Sequence, residues 1–217
     1  MEDYQGKHTG KQIDDAIDNV AKLMAKNFPL EASVSGGGTY EKGSSVTPSA
    51  TFNVTREGAS VVDSATISVS PSAIIDKTNK QWTANSAVSS NTTFTTTFTQ
   101  GGQTVTKTNA WNFSLKKYYG VSAKTTLTSE DVLALGKSDW ASKTMSAKTF
   151  DCSGGKYPYY CIPASLGTPE FWVGGLKNSN VTSIPLSVTN ASGYTETYNI
   201  FRLTDMQYGS DISIEFK

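Results

Sequence analysis

Thr92–Leu115 reads TTFTTTFTQGGQTVTKTNAWNFSL, two β-prone runs joined by Gly101-Gly102. Threonine and aromatic side chains fit a pleated, half-buried surface, and Phe94 with Phe98, then Trp111, Phe113 and Leu115, fall on the period of a strand. A Gly-Gly pair between such runs supplies the positive φ that a two-residue hairpin turn demands. The stretch predicts an antiparallel hairpin, and its neighbours extend the pattern. Ala50, Phe52 and Val54 alternate, as do Ala65, Ile67 and Val69, with turn residues at Arg56 to Ala59 and at Pro71-Ser72. Around seven short strands in about 80 residues is the arithmetic of a β-sandwich. The absence of a Cys…Trp…Cys spacing excludes an antibody-type domain. It leaves the broader immunoglobulin-like or fibronectin-like sandwich over residues 31–117, with Trp82 and Trp111 as core aromatics.

Beyond Lys116-Lys-Tyr-Tyr-Gly120 a second β domain is expected over residues 118–217. It opens on a short helix. Thr128 is its N-cap with Asp131 at the third helical position, Leu127 can staple onto Val132, and Gly136 is the stop signal. Its strands are parted by Gly154-Gly155, Gly174-Gly175 and Asn190 to Gly193, and the last alternates Ile212, Ile214, Phe216. The chain is thus read as mainly β.

Residues 1–30 read differently. Thr9 and Gln12 stand in the capping-box relation, and apolar residues follow at Ile13, Ile17, Val20 and Met24. Steps of four, three and four mark the seam of a short coiled coil, and isoleucine at both seam positions leans towards three strands. The bland alternative is an amphipathic helix packed on its own domain; a helix this short needs a partner surface either way. Pro29 ends it, and residues 27–44, with Gly36-Gly37-Gly38, read as a break between domains.

Composition narrows the function. The 217 residues hold 19 Lys+Arg against 19 Asp+Glu, without basic runs, so nucleic acid is not an expected partner. Thr (28) and Ser (27) give a polar surface that is scarcely ionic. No run approaches the ~18 apolar residues of a membrane span, so no membrane insertion is expected. The start MEDYQGKHTG lacks a leader's basic and apolar regions, which predicts a product that stays where it is made. A hydroxylic all-β chain without a leader fits a virion protein, assembled in the host cytoplasm and released by lysis.

Catalytic motifs are lacking. There is no G-x-S-x-G elbow, no P-loop and no G-x-G-x-x-G, and His8 is the single histidine. Neither metal nor cofactor is expected. Glycoside hydrolysis needs only two carboxylates, and Asp151, Glu170, Glu196, Asp205 and Asp211 are available, though each reads more simply as a solvated surface group. Tyr157, Tyr159 and Tyr160 around Pro158, followed by Trp172, form the most site-like cluster, suited to stacking on sugars or to a protein interface. Alternation points Tyr157 and Tyr159 one way and Tyr160 the other, and filling a core is the competing reading. Cys152 and Cys161 are spaced so that a hairpin could close them into a disulfide, but a cytosolic assembly route is reducing.

The opening HTGKQIDDAIDNV resembles a short N-terminal segment that recurs in structural proteins of phages infecting gut Bacteroidetes, including crAss-like phages. The stretches KKYYGVSAKTTLTSEDVLAL, FDCSGGKYPYYCIPASLG and VTNASGYTETYNIFRL are similar to a C-terminal β module of phage head-fibre and tail-appendage proteins. The resemblance implies a fibre or decoration protein, commonly a homotrimer, whose N-terminal segment docks on capsid or other virion proteins while β modules project outward; the expectation drawn from the whole is a non-enzymatic homotrimeric fibre directed towards host-surface glycans. The chain is short for a long tail fibre, which favours a head fibre. A tail-associated fibre or adaptor, and a secreted bacterial carbohydrate-binding or adhesin module with a Cys152–Cys161 bond, are the alternatives.

Overall fold

The computed structural model describes residues 9–217; the side chains of residues 21 and 24–27 lie outside that description, as does the polar arm of residues 1–8 with His8. The chain begins with helix α1 (Gly10–Asn27). The expected capping box is present: the Thr9 N–H donates to Gln12 Oε1 at 2.9 Å, and the Gln12 N–H to Thr9 Oγ1 at 3.4 Å. The described residues then form antiparallel β-structure in two compact units, one comprising residues up to 38 with 45–112, the other residues 39–44 with 113–217.

The first unit is built from β1 (Leu30–Gly36), β2 (Gly38–Glu41), β3 (Ser49–Arg56), β4 (Ala59–Ser60), β5 (Thr66–Ser70), β6 (Ala73–Asp76), β7 (Gln81–Ala84), β8 (Thr92–Gln100) and β9 (Gln103–Ser114). One sheet runs β1-β3-β7-β6, with β4 on β3, and the other β2-β9-β8-β5; most of β2 and the end of β9 belong to the second unit. The expected hairpin joins β8 to β9 through Gly101 (φ 56°) and Gly102 (φ 76°), a turn whose left-handed backbone only glycine adopts without strain. Aromatic rings join the two sheets. Trp82 on β7 stacks on Phe94 of β8 at 5.2 Å and meets Trp111 of β9 at 5.6 Å, while Phe52 on β3 meets Phe98 of β8 at 5.7 Å. All five are buried, as the alternation requires.

Two expectations fail locally. Residues 27–44 are not a slack break, because β1 and β2 occupy most of them and β1 pairs with β3 from Leu30↔Arg56 to Gly36↔Ala50. The N-terminal segment also stops short of residue 30: α1 ends at Asn27, and Leu30 is the buried first residue of β1, its N–H donating to Gln103 Oε1 at 2.7 Å.

The second unit holds β10 (Lys116–Ser122), α2 (Ser129–Leu133), β11 (Lys137–Trp140), β12 (Lys148–Phe150), β13 (Tyr157–Pro163), β14 (Phe171–Val173), β15 (Leu176–Asn178), β16 (Val181–Thr189), β17 (Thr195–Leu203) and β18 (Ile212–Phe216). Its main sheet is β11-β10-β13-β17-β16, and a smaller one is β12-β18-β14-β15. β13 lies at the centre, with both faces covered. Tyr160 and Ile162 enter a core with Phe150, Phe171, Ile214 and Phe216 of the smaller sheet, whereas Tyr159 and Cys161 enter another with Leu127 and Val132 beside α2. The α2 capping box forms as predicted, with Thr128 accepting from the Asp131 N–H and the Asp131 carboxylate accepting from the Thr128 N–H.

Candidate functional site

Three places come into question as a site. The first is α1. Its polar and charged residues share one side, and Ile13, Ile17, Val20 and Leu23 share the other, exposed by 50, 60, 55 and 59 %. Every α1 residue whose side chain is described is exposed, so no described part of the helix packs on its own domain. Ile13, Ala16, Ile17 and Val20 line one shallow apolar strip. The expected seam residues Ile13, Ile17 and Val20 are therefore brought together on one face; Met24 is the fourth by sequence, and its side chain lies outside the description. Leu23 was missed, because a strict four-three-four count passes over the residue one step before Met24.

The second place is the aromatic cluster, which the structure breaks apart. Tyr159 and Tyr160 are each 1 % exposed and sit in opposite cores, so neither belongs to a ligand surface. Burial pushes both phenols up to about 12. The Tyr159 hydroxyl donates to the Lys124 carbonyl at 2.7 Å; the Tyr160 hydroxyl has no partner among the described residues. Tyr157 keeps partial exposure, but the Arg202 guanidinium covers its ring at 4.4 Å. Trp172 is on the smaller sheet, with Lys217 Nζ 4.2 Å from its ring and its indole N–H donating to Glu170 Oε2 at 3.2 Å. The four residues do not form one site. β13 is central and doubly covered, a circumstance that alternation alone cannot reveal.

The five carboxylates weighed for hydrolysis each have a local partner, Glu196 accepting from the Thr197 N–H at 3.2 Å and Asp211 from the Ser210 hydroxyl at 3.3 Å. Asp151 accepts from the Ser153 hydroxyl and N–H, Glu170 from Lys177 and Trp172, and Asp205 from the Asn180 amide. The hydrogen bond from Ser153 lowers the Asp151 pKa, and that from Lys177 lowers the Glu170 pKa. A glycosidase acid needs the opposite shift. Cys152 and Cys161 are free and buried, and they belong to the two different cores, on opposite faces of β13's sheet. A disulfide between them would need that sheet to open.

The third place was not anticipated. In the second unit a recess of about 240 Å³ is bordered by Glu41, Lys116, Tyr118, Leu133, Gly136 and Ser138. The Tyr118 hydroxyl donates to Glu41 Oε1 at 3.1 Å, and Lys116 Nζ lies 3.6 Å from the same oxygen. Trp140, opposite Lys116 on the β10–β11 ladder, remains 41 % exposed with the Lys116 ammonium 5.6 Å from its ring centroid. Burial raises the Tyr118 pKa, and the Glu41 charge raises it further, so the phenol stays a donor. Glu41 lies 77 residues from Tyr118, too far apart for spacing to have paired them. No protein-family model matches the chain, and no curated protein matches it.

Proposed function

We propose that the chain is a non-enzymatic structural component of a phage particle, a homotrimeric head fibre held by its N-terminal helix and presenting its β units to host-surface glycans. The observation that carries this reading is α1: a capped helix of 18 residues whose apolar face, Ile13, Ile17, Val20 and Leu23, is open along its length. A lone helix of this length is marginal in water, so the face calls for a partner. Burying the exposed half of four such side chains is worth about 3–7 kcal/mol per chain, enough to help drive three helices together. Isoleucine at successive seam positions supports three strands, and the resemblance of HTGKQIDDAIDNV to virion structural proteins supports capsid or other virion proteins as the docking partners. The facing sheets of the first unit, with their Trp82–Phe94–Trp111 core, are read as an immunoglobulin-like sandwich of the kind such appendages carry. The secreted-module reading predicts a Cys152–Cys161 bond, and the separation of these cysteines into two cores counts against that bond. Gold-labelled antibody against this chain on purified particles of the source phage tests the reading. Label distributed over the head is expected; label confined to the tail would favour the tail-fibre alternative, and unlabelled particles would refute a virion role.

A further inference from the structure

We infer that the recess bordered by Glu41, Lys116 and Tyr118, together with Trp140, which lies opposite Lys116 on the same face of β10 and β11, is a binding site for a neutral pyranose. This deepens the glycan-facing part of the fibre reading and rests on it, but it places contact at residues that the aromatic cluster around Tyr159 cannot supply.

The ligand class follows from the groups present. The ladder sets Trp140 opposite Lys116 and Ser138 opposite Tyr118, so these four share one face of β10 and β11. The indole's exposed surface is flat and apolar, suited to the C–H face of a sugar ring. Beside it stand a carboxylate, an ammonium, a phenol and a hydroxyl. Lys116 and Tyr118 both engage Glu41 Oε1, which leaves Oε2 to accept from a ligand, while the ammonium keeps further N–H groups to donate. An acceptor and a donor side by side match two vicinal hydroxyls, each of which both gives and takes a hydrogen bond. Lys137 also borders the recess, but its ladder partner is Tyr119, so its side chain leaves β11 on the other face. On the ladder face the Glu41 and Lys116 charges cancel, so that face has no net charge to favour a phosphate or a carboxylate over a neutral ring.

The recess is also preformed. Buried Tyr118 fixes Glu41, and the carbonyl of Lys116 accepts from the Tyr198 hydroxyl at 2.8 Å, so the backbone that carries the ammonium is tied to β17. A site for a single ring binds weakly, and three copies in a trimer would add avidity.

Saturation-transfer NMR on the full chain tests the assignment. The probes are the methyl pyranosides of glucose, galactose, mannose and N-acetylglucosamine, with methyl glucuronide as the charged control. At least one neutral probe should receive saturation at its ring C–H protons. Trp140→Ala and Glu41→Gln should each lose the effect or weaken the affinity at least tenfold, with Trp140→Phe, which keeps a flat ring, retaining most of it. Circular dichroism of each variant confirms that the sheets persist. No transfer to any neutral probe, transfer undiminished in Trp140→Ala, or transfer to the glucuronide alone would each overturn the inference. Light scattering on the same samples separates the two readings: a trimer without sugar binding removes this site and keeps the fibre, and a monomer that binds sugar keeps the site and removes the fibre.

Discussion

Replacing Phe216 with alanine should destabilise the second unit by about 3–5 kcal/mol, the range for deleting a buried phenylalanine ring. The ring is buried in the last strand, stacked on Tyr160 at 3.9 Å and 14°, and set edge-on to Phe171 at 4.9 Å and to Phe150 at 6.5 Å. These neighbours come from β12, β13 and β14, held by two different sheets, so they cannot all close on the space the ring leaves. The cost therefore belongs in the upper part of the range. Each ring pair contributes about 0.5–1.5 kcal/mol beyond its area, a portion of the total rather than an addition to it. At about 4–5 °C per kcal/mol for a domain of roughly 100 residues, a loss of about 4–5 kcal/mol lowers the melting temperature by about 16–25 °C, readable by scanning calorimetry. Phe216→Leu, which keeps most of the volume, should lose only about 1.5 kcal/mol. A second readout is independent of the melt: burial holds the Tyr160 phenol at about 12, and solvent entering the cavity should bring it down towards its ordinary value in an alkaline titration. A loss below about 1 kcal/mol with Tyr160 unmoved would refute the claim that the last strand closes this core.

Other expectations test separate parts of the structure. Lys124 and the Thr128 N–H hold the Asp131 carboxyl at about 2. Because that lies below the unfolded value of about 3.9, the stabilisation is complete above about pH 4 and is lost as the pH falls towards 2. The gap between melts of wild type and Asp131→Asn should be largest at about pH 5 and shrink steadily as the pH falls towards about 2; a constant gap would refute the pairing. Both thiols are buried and burial raises their pKa, so Ellman's reagent should find two reactive cysteines only after denaturation, and reducing agent should leave the native melt unchanged. Gly120→Ala places a Cβ 2.2 Å from the Leu135 carbonyl oxygen, where backbone must move, and should cost about 1–3 kcal/mol; a neutral melt would show that the chain after α2 does not approach β10 so closely.

What could be read from the sequence was local. The Thr92–Leu115 hairpin is specified within two dozen residues and each capping box within four, where turn chemistry and alternation act directly. Long-range facts were hidden. Tyr157-Pro-Tyr-Tyr160 looked like a binding cluster because an alternating aromatic strand reads the same whether one face or both are buried, and only its pairing with β10 and β17 reveals a central strand. β1 escaped notice because Ala32 and Val34 alternate among polar residues and Gly36 ends the run, leaving little apolar signal. The recess at Glu41 needs residues 39–44 to join a unit that otherwise begins at residue 113, a return no spacing rule anticipates. Trp140 gave no signal of its own, since an isolated tryptophan is usually core; its exposure is what marks it.

If α1 joins three chains, as proposed, light scattering on the eluting peak will read the trimer's mass. The full chain is compared with Ile17→Asp and with a chain lacking residues 1–28, a cut that spares Leu30 and β1. The account predicts a mass three times the 23.3 kDa of one chain for the intact protein, and monomers for both variants. A full chain that runs as a monomer at micromolar concentration, or a truncated chain that remains a trimer, would contradict it.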